Sequence, residues 1–293
     1  MDLLRSLLFA PGNHARKVEK AFTLEADAVV LDLEDAVAVA EKVPTRDLVI
    51  AALKHNRQRS LIGYVRVNAM DTDNCFGDIN AVLGEWLDGI MLPKVESAAH
   101  LQAVDWMMAS LERERGIEAG SIDLLPIVET GKGIHNVHEI AASGTRVNRL
   151  SFGAGDYTGD MGLVWTPEER ELAEARAAVV LASRVAGIEP PLDSVFIDLQ
   201  DDEHLASSAR TAHEMGFQGK LCIHPKQIDV VNRTFMPSED QVAKAERYIA
   251  AFREAEAKGS ASIQVDGYFV DYPIVQRAER TLALMERIRA KIG

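Results

Sequence analysis

The sequence is poor in cysteine and in long apolar runs, and each shortage excludes a class of protein. Only two of the 293 residues are cysteines, Cys75 and Cys222. They lie 147 positions apart, so they form no disulfide framework and no CxxC metal site. Both lie in or beside apolar stretches, where a cysteine acts as a small hydrophobe. The longest apolar runs are far shorter than the roughly 18 residues of a membrane span.

Several signature motifs are also missing. No GxSxG element and no P-loop occurs, so a serine hydrolase and a kinase lack support. The eight histidines show neither HxxxH nor HxH spacing. We interpret Asn136 and His138, inside a helical segment, as surface residues, and His224-Pro225 as a turn at a strand end. An early acid and Arg5 interrupt the apolar beginning of the sequence, unlike a signal peptide, so we expect a reducing cytoplasm.

Positive charge is scarce relative to negative charge. Lysine and arginine number 32 against 45 aspartates and glutamates, which gives a formal net charge of −13. Nucleic acids and anionic membranes are therefore poor partners for this chain. An anionic substrate would meet overall repulsion, so its site must carry a local positive charge.

Short apolar runs alternate with longer segments of helical periodicity. The eight runs are Ser6–Ala10, Ala28–Leu33, Ile62–Val67, Asp88–Leu92, Leu124–Val128, Val147–Phe152, Asp193–Ile197 and Lys220–Ile223. The helical segments include His14–Leu24, Pro44–Lys54, Ala98–Arg115, Pro167–Ala186 and Glu203–Met215. Near-continuous apolar strands separated by helices indicate a parallel sheet that is buried on both faces. Eight units fit an α/β TIM (β/α)₈ barrel, and a doubly wound open sheet is the alternative.

Two helix starts carry capping signals, and the second begins an appendage. Thr166–Glu169 reads as a capping box with proline at the first helical position. Ser238–Gln241 is a second box, which opens a helix to about Lys258. We therefore expect a barrel domain over residues 1–237 and an appendage over 238–293. The predicted appendage comprises this helix, a break at Gly259–Ser262, an extended piece at Ile263–Val270 and a helix at Pro273–Ile292.

Polar residues follow the apolar runs at the barrel end where active sites lie. They are Asp32, Glu34 and Asp35, then Arg66 and Asn68, Lys94, Glu129, Gly153, Gly155 and Asp156, and His224. Lys94 reads either as a ligand for a phosphate or an acid, or as a solvated lysine. The glycines of the Gly153–Gly155 loop would let backbone N–H groups approach a carboxylate.

Glu129 and Asp156 form the sharpest pair because they follow sequential strands. Two carboxylates one strand spacing apart repel each other unless a proton or a cation lies between them. Hard oxygen ligands completed by water and substrate are typical of Mg²⁺ or Mn²⁺. The alternative is that Glu129 only begins a helix and Asp156 only fills a turn.

Arg66 interrupts the third apolar run and would point into the barrel with Tyr64 and Asn68. A buried arginine stays charged and needs an anion. That anion is either Glu34 or Asp35, in a structural role, or a substrate oxygen that carries or gains negative charge.

These blocks together resemble the citrate lyase β-subunit-like proteins of the HpcH/HpaI aldolase/citrate lyase superfamily. The resemblance covers nearly the whole chain in order. The matching blocks are Arg5–Asn13, Leu31–Val37, Val65–Asn68, Leu92–Lys94, Ile127–Thr130, Phe152–Tyr157 and Ile223–Pro225. The wider group includes citramalyl-CoA lyase, malyl-CoA lyase and related thioesterases.

The resemblance implies a Mg²⁺-dependent enzyme with a TIM-like barrel that acts on 3-hydroxyacyl-CoA thioesters of dicarboxylic or tricarboxylic acids. It implies metal ligation by Glu129 and Asp156 and polarisation of the substrate by Arg66. It also implies a catalytic aspartate in the C-terminal segment, which falls on Asp271. The local match there is looser, and Asp271 is also a plausible cap for the helix at Pro273.

Three functions remain open from the sequence. In a carbon–carbon lyase, Glu34 or Asp35 would orient water molecules bound to the metal, and Gly155 and Lys94 would contact the substrate. A thioesterase would use the same metal site, and a citrate lyase subunit would need an acyl-carrier partner. The appendage would expose Ile263, Val265, Phe269 and Val270 unless it packed back or onto another subunit. Together with the resemblance, this predicts a homo-oligomer, with a trimer favoured, in which Asp271 serves a neighbour's site.

Overall fold

The computed structural model describes residues 3–57 and 61–292 and contains a closed barrel of eight parallel strands in sequential order. The strands are β1 (Ser6–Pro11), β2 (Ala28–Asp32), β3 (Ile62–Arg66), β4 (Gly89–Leu92), β5 (Asp123–Val128), β6 (Ser151–Phe152), β7 (Leu192–Asp193) and β8 (Gly219–Cys222). Closure is made by β8, whose Lys220 and Leu221 pair with Ser6 and Leu7 of β1. The predicted TIM barrel is confirmed, and the open sheet is wrong.

Helices connect the strands and cover the barrel. They are α1 (Ala15–Ala21), α2 (Lys42–Asn56), α3 (Cys75–Val82), α4 (Ala98–Glu114), α5 (Gly131–His135), α6 (Val137–Ala141), α7 (Ala154–Met161), α8 (Ala173–Ala186), α9 (Asp202–Met215) and α10 (Lys226–Thr234). The described helices include no apolar segment long enough to cross a bilayer. Cys75 and Cys222 are buried free thiols, as expected from their apolar surroundings.

The barrel interior is filled by every second residue of the strands. This interior cluster consists of Leu7, Ala28, Val30, Tyr64, Met91, Leu125, Ile127, Leu192 and Leu221, together with Leu4, which precedes β1. The intervening residues, such as Val29 and Leu31, are equally buried. They alternate with the interior residues along the strand and so face the surrounding helices. Both faces are therefore apolar, which explains the continuous apolar runs of the sequence.

The capping box predicted at Thr166 is wrong, because α8 begins only at Ala173, after a short 3-10 turn. The Thr166 backbone N–H and hydroxyl both donate to the Glu171 carboxylate, at 2.7 and 2.8 Å. Glu169, the predicted box partner, has a left-handed φ of 52°. Its buried carboxylate accepts from Arg176 at 2.6 Å instead of capping the helix.

The box at Ser238 is confirmed. The Ser238 hydroxyl accepts from the Gln241 N–H at 3.2 Å, and the Gln241 side chain accepts from the Ser238 N–H at 2.8 Å. This reciprocal pair satisfies two N–H groups at the start of α11 (Glu239–Glu256), groups that would otherwise lack partners within the helix.

The chain divides into two compact units: Leu4–Asn232, which holds the barrel, and Leu3 with residues 233–292. The second unit contains α11, a two-stranded hairpin and α12 (Tyr272–Ile292). Its buried cluster is formed by Ala245, Tyr248, Ile249, Phe252, Val270, Val275 and Ala278.

The segment predicted as one extended piece is an antiparallel hairpin, β9 (Ser262–Val265) with β10 (Tyr268–Asp271). The turn between them is Asp266-Gly267, with φ values of 50° and 82°. Two left-handed residues of this type close a tight hairpin turn, and Asp-Gly is a favoured pair for it. Of the apolar residues expected to be exposed, Val270 is buried and Ile263 and Val265 pack against the unit's own core. Phe269 remains 66% exposed.

Candidate active site

Arg66 and Asp32 end neighbouring strands and lie side by side in the register of β2 and β3. The guanidinium donates two parallel hydrogen bonds, from Nε to Oδ1 at 2.7 Å and from Nη2 to Oδ2 at 2.6 Å. Burial alone would raise the pKa of Asp32, but Arg66 and the backbone N–H donors of Glu34 and Ala36 hold it below its usual value. The fork fixes the plane of the guanidinium and leaves Nη1 outside the pair.

Sequence reasoning missed Asp32 as the main partner of Arg66, and named Glu34 or Asp35 as its anion. Both are present, but more loosely, with Arg66 Nη1 lying 3.0 Å from Glu34 Oε2 and 3.4 Å from Asp35 Oδ2. The signal that would have found Asp32 is the parallel register, since the last residues of adjacent strands face each other.

Glu34 lies between the two cations of the site. Its Oε1 accepts from Lys94 Nζ at 2.6 Å, and its Oε2 lies against Arg66. Burial raises the pKa of Glu34, and the charges of Arg66 and Lys94 offset only part of that shift. Lys42 supports this segment by donating to the Glu34 carbonyl at 2.8 Å and to the Asn68 side chain.

Glu129 is a buried carboxylate at the end of β5. Burial first, and the negative charge of Asp156 second, raise its pKa to about 8. Asp156 lies in the first turn of α7, with 37% of its side chain exposed. The space for Glu129 depends on Gly153, because a Cβ there would overlap the Glu129 carboxylate. The predicted pair is thus brought together, with each carboxylate repelling the other.

Lys94 reaches several of these carboxylates at once. It has a left-handed φ of 53°, and its backbone N–H donates to Glu129 Oε1 at 2.9 Å. Its ammonium bonds Glu34 and lies 3.5 Å from Asp156 Oδ1 and 3.9 Å from Asp35 Oδ1. Of the two sequence interpretations of Lys94, simple solvation is therefore wrong.

The donor set suits a divalent cation that takes only part of its coordination shell from protein. We define the mouth cluster as Asp32, Glu34, Asp35, Glu129 and Asp156 with Arg66 and Lys94, a formal excess of three negative charges. No group of three or more His, Cys, Asp or Glu side chains is arranged for a metal within the described residues. Glu129 and Asp156 could therefore hold such an ion only with oxygens from substrate and water.

The remaining predicted residues have more ordinary surroundings. A Cβ at Gly155 would make only ordinary contact with Trp165, at 3.6 Å, and the Ala154 N–H already donates to the Ser194 hydroxyl at 2.6 Å. His224 Nδ1 accepts from the Lys226 N–H at 3.2 Å, which is the turn expected there.

The interpretation of Asn136 as a surface residue is wrong. This residue lies between α5 and α6, is half-buried, and its side-chain amide donates to the Glu96 carbonyl at 2.8 Å. His138 is exposed, as expected.

Asp271 occupies the junction of β10 and α12. Its carboxylate accepts from the backbone N–H of Ile274 at 3.3 Å, which is the geometry of a helix N-cap. The helix begins at Tyr272, one residue before the predicted start. The capping role expected as the alternative for Asp271 is therefore present.

Comparisons with known proteins place this chain in a family. The profile described as HpcH/HpaI aldolase/citrate lyase matches residues 5–225. The β subunit of citrate lyase from Leuconostoc mesenteroides subsp. cremoris is 38% identical over 282 residues, which cover 96% of this chain and 93% of that protein. A (3S)-malyl-CoA thioesterase from Cereibacter sphaeroides is 36% identical over 286 residues, covering 98% and 96%.

Among solved structures, CitE from Mycobacterium tuberculosis in complex with magnesium, acetoacetate and coenzyme A is 31% identical, with a TM-score of 0.77. The match covers 97% of this chain and 98% of that one. RipC from Yersinia pestis is 34% identical with a TM-score of 0.68, and the match covers 82% and 98%. The resemblance found in the sequence and the prediction of an enzyme of the carbon–carbon lyase kind are confirmed. The chain belongs to the HpcH/HpaI aldolase/citrate lyase family.

Proposed function

We propose that this protein is a Mg²⁺-dependent lyase that cleaves a 3-hydroxyacyl-CoA thioester of a dicarboxylic or tricarboxylic acid. The products are acetyl-CoA and a 2-oxo acid, and the substrates proposed are citramalyl-CoA, malyl-CoA or a citryl thioester. The observation that carries the proposal is the buried Glu129 carboxylate beside Asp156, with Arg66 held at the end of β3 by two hydrogen bonds to Asp32. Solved CitE structures in complex with magnesium support the choice of metal.

Glu129 and Asp156 would hold the ion. When bound, Mg²⁺ supplies a Lewis acid for the hydroxy-acid oxygens, where negative charge develops during cleavage. Arg66 would face the thioester oxygen with Nη1, because Asp32 occupies Nε and Nη2. The substrate oxygen would then share Nη1 with Glu34 and Asp35, which lie 3.0 and 3.4 Å from it. In this arrangement Asp32 positions the guanidinium, and Lys94 and Gly155 border the substrate.

The reaction requires two proton movements. The substrate hydroxyl gives its proton to water, and the resulting alkoxide becomes the carbonyl of the 2-oxo acid as the carbon–carbon bond breaks. The electron pair of the broken bond passes to the α-carbon of the thioester as an enolate. The enolate carbon then takes up a proton to give the acetyl group. We assign this proton to Asp271, which would remove it in the reverse, condensing direction.

Hydrolysis of the thioester at the same site is the second candidate. It is favoured by the 36% identity to a (3S)-malyl-CoA thioesterase. In that reaction water attacks the thioester carbonyl, the carbon–sulfur bond breaks, and free CoA leaves while the hydroxy acid remains intact. A third candidate, supported by the citrate lyase β subunits, is a subunit that requires an acyl-carrier partner.

The purified chain should be incubated with malyl-CoA, citramalyl-CoA and citryl-CoA, with Mg²⁺ or with excess chelator, and the products identified by mass spectrometry. The proposal expects acetyl-CoA and the 2-oxo acid in equal amounts, with Mg²⁺ only. Free CoA with intact hydroxy acid would assign a thioesterase. Turnover only of acyl-carrier thioesters would assign a partner-dependent subunit, and full activity in chelator would overturn the metal site.

We further propose that the protein acts as a homo-oligomer, most simply a trimer, in which Asp271 completes a neighbour's site. The exposure of Tyr268 and Phe269 on the hairpin, 58% and 66%, supports an interface there. The test mixes Asp271→Asn chains with Glu129→Gln chains, each inactive alone. Recovered activity would support shared sites, whereas no recovery after proven mixing, or an active monomer, would refute them.

A further inference from the structure

Lys94 contacts the proposed metal ligands through two different groups. Its left-handed backbone directs the N–H to Glu129, at 2.9 Å, while its ammonium lies 3.5 Å from Asp156 and 2.6 Å from Glu34. The backbone bond does not depend on side-chain identity. The ammonium contacts do, so a substitution at position 94 separates the two contributions.

The two cations of the mouth cluster differ in how firmly they are held. Arg66 is fastened by the two-pronged contact with Asp32 and is only 12% exposed. The Lys94 side chain is 32% exposed and ends in a compact, strongly hydrated ammonium on a flexible stem. Lys94 is therefore the cation that can move when the charge of the cluster changes.

We propose that Lys94 is the built-in counter-cation of the metal site. Its ammonium neutralises Asp156 and Glu34 while no divalent ion is bound, and it leaves Asp156 when the ion arrives. Lys94 then has two opposite effects. It weakens metal binding because it competes with the ion for Asp156, and it stabilises the metal-free site because it offsets the repulsion among the carboxylates. The inference rests on the proposed function, because it takes Glu129 and Asp156 as the ligands.

The test measures Mn²⁺ affinity by electron paramagnetic resonance, for the wild type and for Lys94→Gln, Lys94→Arg and Lys132→Gln. Lys132 is the matched control, since it pairs with Glu96 at 3.0 Å and is 66% exposed. Removing one positive charge a few ångströms from a divalent ion in a water-like environment should tighten binding about tenfold. We expect this for Lys94→Gln, with Lys94→Arg and Lys132→Gln within about twofold of wild type.

Thermal unfolding gives a second readout. Lys94→Gln should melt below wild type in chelator and gain more from saturating Mn²⁺ than wild type does, because it binds the ion more tightly. If Lys94→Gln does not fold in either condition, Lys94→Asn repeats the test with a neutral residue that tolerates a left-handed backbone.

The outcomes separate this inference from the proposed function. If neither wild type nor any variant binds Mn²⁺, the proposed metal-dependent function and the counter-cation both fail. If wild type binds Mn²⁺ but Lys94→Gln binds it equally or more weakly, only the counter-cation is overturned. A raised KM for the thioester without a change in Mn²⁺ affinity would make Lys94 a substrate ligand instead.

Discussion

Two clusters of charge within the barrel unit are built on opposite rules. The mouth cluster joins five carboxylates to two cations and keeps Lys94, Asp35 and Asp156 partly exposed. The second, which we call the inner network, joins Asp193 and Glu169 to Arg176 and Lys220. Its four members are at most 3% exposed.

The inner network contains two carboxylates and two cations, so its formal charges balance. Arg176 donates to Asp193 from Nε at 2.8 Å and to Glu169 from Nη2 at 2.6 Å, and Lys220 donates to Asp193 at 2.6 Å. Burial alone would raise the pKa of Asp193, but Lys220 and Arg176 hold it below its usual value. Since Leu192 and Leu221 fill the interior, Asp193 and Lys220 face the helices.

The difference indicates what each cluster is for. A network with equal numbers of carboxylates and cations needs no ion from solution, and its ion pairs link β7, β8 and α8. In the mouth cluster, burial and the negative charge of Asp156 raise the pKa of Glu129, and an added cation would offset the three excess negative charges. Burial of charge is common to both, so charge balance and access are what distinguish a binding site from a structural network.

The largest expected effect is at Glu129 and Asp156. Glu129→Gln and Asp156→Asn should each lower kcat about a thousandfold or more, because each removes a ligand for the charge-stabilising ion. Both variants should also lose Mn²⁺ binding, measured by paramagnetic resonance. If both variants keep wild-type Mn²⁺ affinity, the excess negative charge of the mouth cluster does not bind a metal.

Glu129 also predicts a pH dependence of stability in excess chelator. Its pKa is about 8 in the folded protein and 4.5 in an unperturbed chain, so the folded state keeps the proton longer. The free energy of unfolding should therefore fall as pH rises from about 4.5 to 8, by on the order of 5 kcal/mol. Denaturant unfolding of Glu129→Gln and of wild type at several pH values isolates the contribution of Glu129 to this pH dependence. If the free energy of unfolding changes equally with pH in both proteins, the pKa of Glu129 is not raised.

Arg66→Lys is the next largest change. Lysine replaces a planar fork by a point charge, so it cannot keep both bonds to Asp32 and still present a donor to substrate. We expect kcat to fall about a hundredfold with a stability loss of about 1 kcal/mol. Steady-state kinetics and denaturant unfolding measure the two effects. Severe unfolding without specific catalytic loss would assign Arg66 to a structural network like the inner one.

Lys220→Met should destabilise without impairing chemistry. It removes one cation from the inner network and leaves Asp193 with an incomplete set of partners, at a cost of about 3–5 kcal/mol. Lys94→Gln, in the mouth cluster, should lower the free energy of unfolding by less than about 1 kcal/mol. Denaturant unfolding checks both values, and kcat of folded Lys220→Met should stay within about twofold of wild type. If Lys220→Met and Lys94→Gln lower the free energy of unfolding equally, the inner network is no more important for stability than the mouth cluster.

Most of the fold followed from periodicity, because strands buried on both faces give apolar runs and the helices give longer amphipathic segments. The errors lie where tertiary contacts replace local signals. The box at Thr166 failed because Glu169 is drawn inward by Arg176, 7 residues away. The hairpin was missed because Asp266-Gly267 is a two-residue turn within an otherwise extended pattern.

The candidate site was predictable in its members but not in its pairing. Strand ends marked Arg66, Lys94, Glu129 and Asp156 because barrel strands converge at one mouth. The bidentate contact between Asp32 and Arg66 depends on the register of two strands. The contact of the Lys94 N–H with Glu129 depends on a left-handed backbone at a residue other than glycine. Neither is encoded in local spacing.

The smallest expected effect on stability lies at Asp271, in the unit that holds neither cluster. As the N-cap of α12, Asp271 satisfies one backbone N–H, so Asp271→Ala should lower the free energy of unfolding by about 1 kcal/mol. Asp271→Asn should cost only a few tenths, because asparagine caps about as well as aspartate. Denaturant unfolding of both variants measures the cap without reference to chemistry. If Asp271→Ala costs no more than a few tenths of a kcal/mol, the carboxylate does not cap in solution. If Asp271→Asn is as stable as wild type but inactive, the activity loss belongs to the missing acid rather than to the helix.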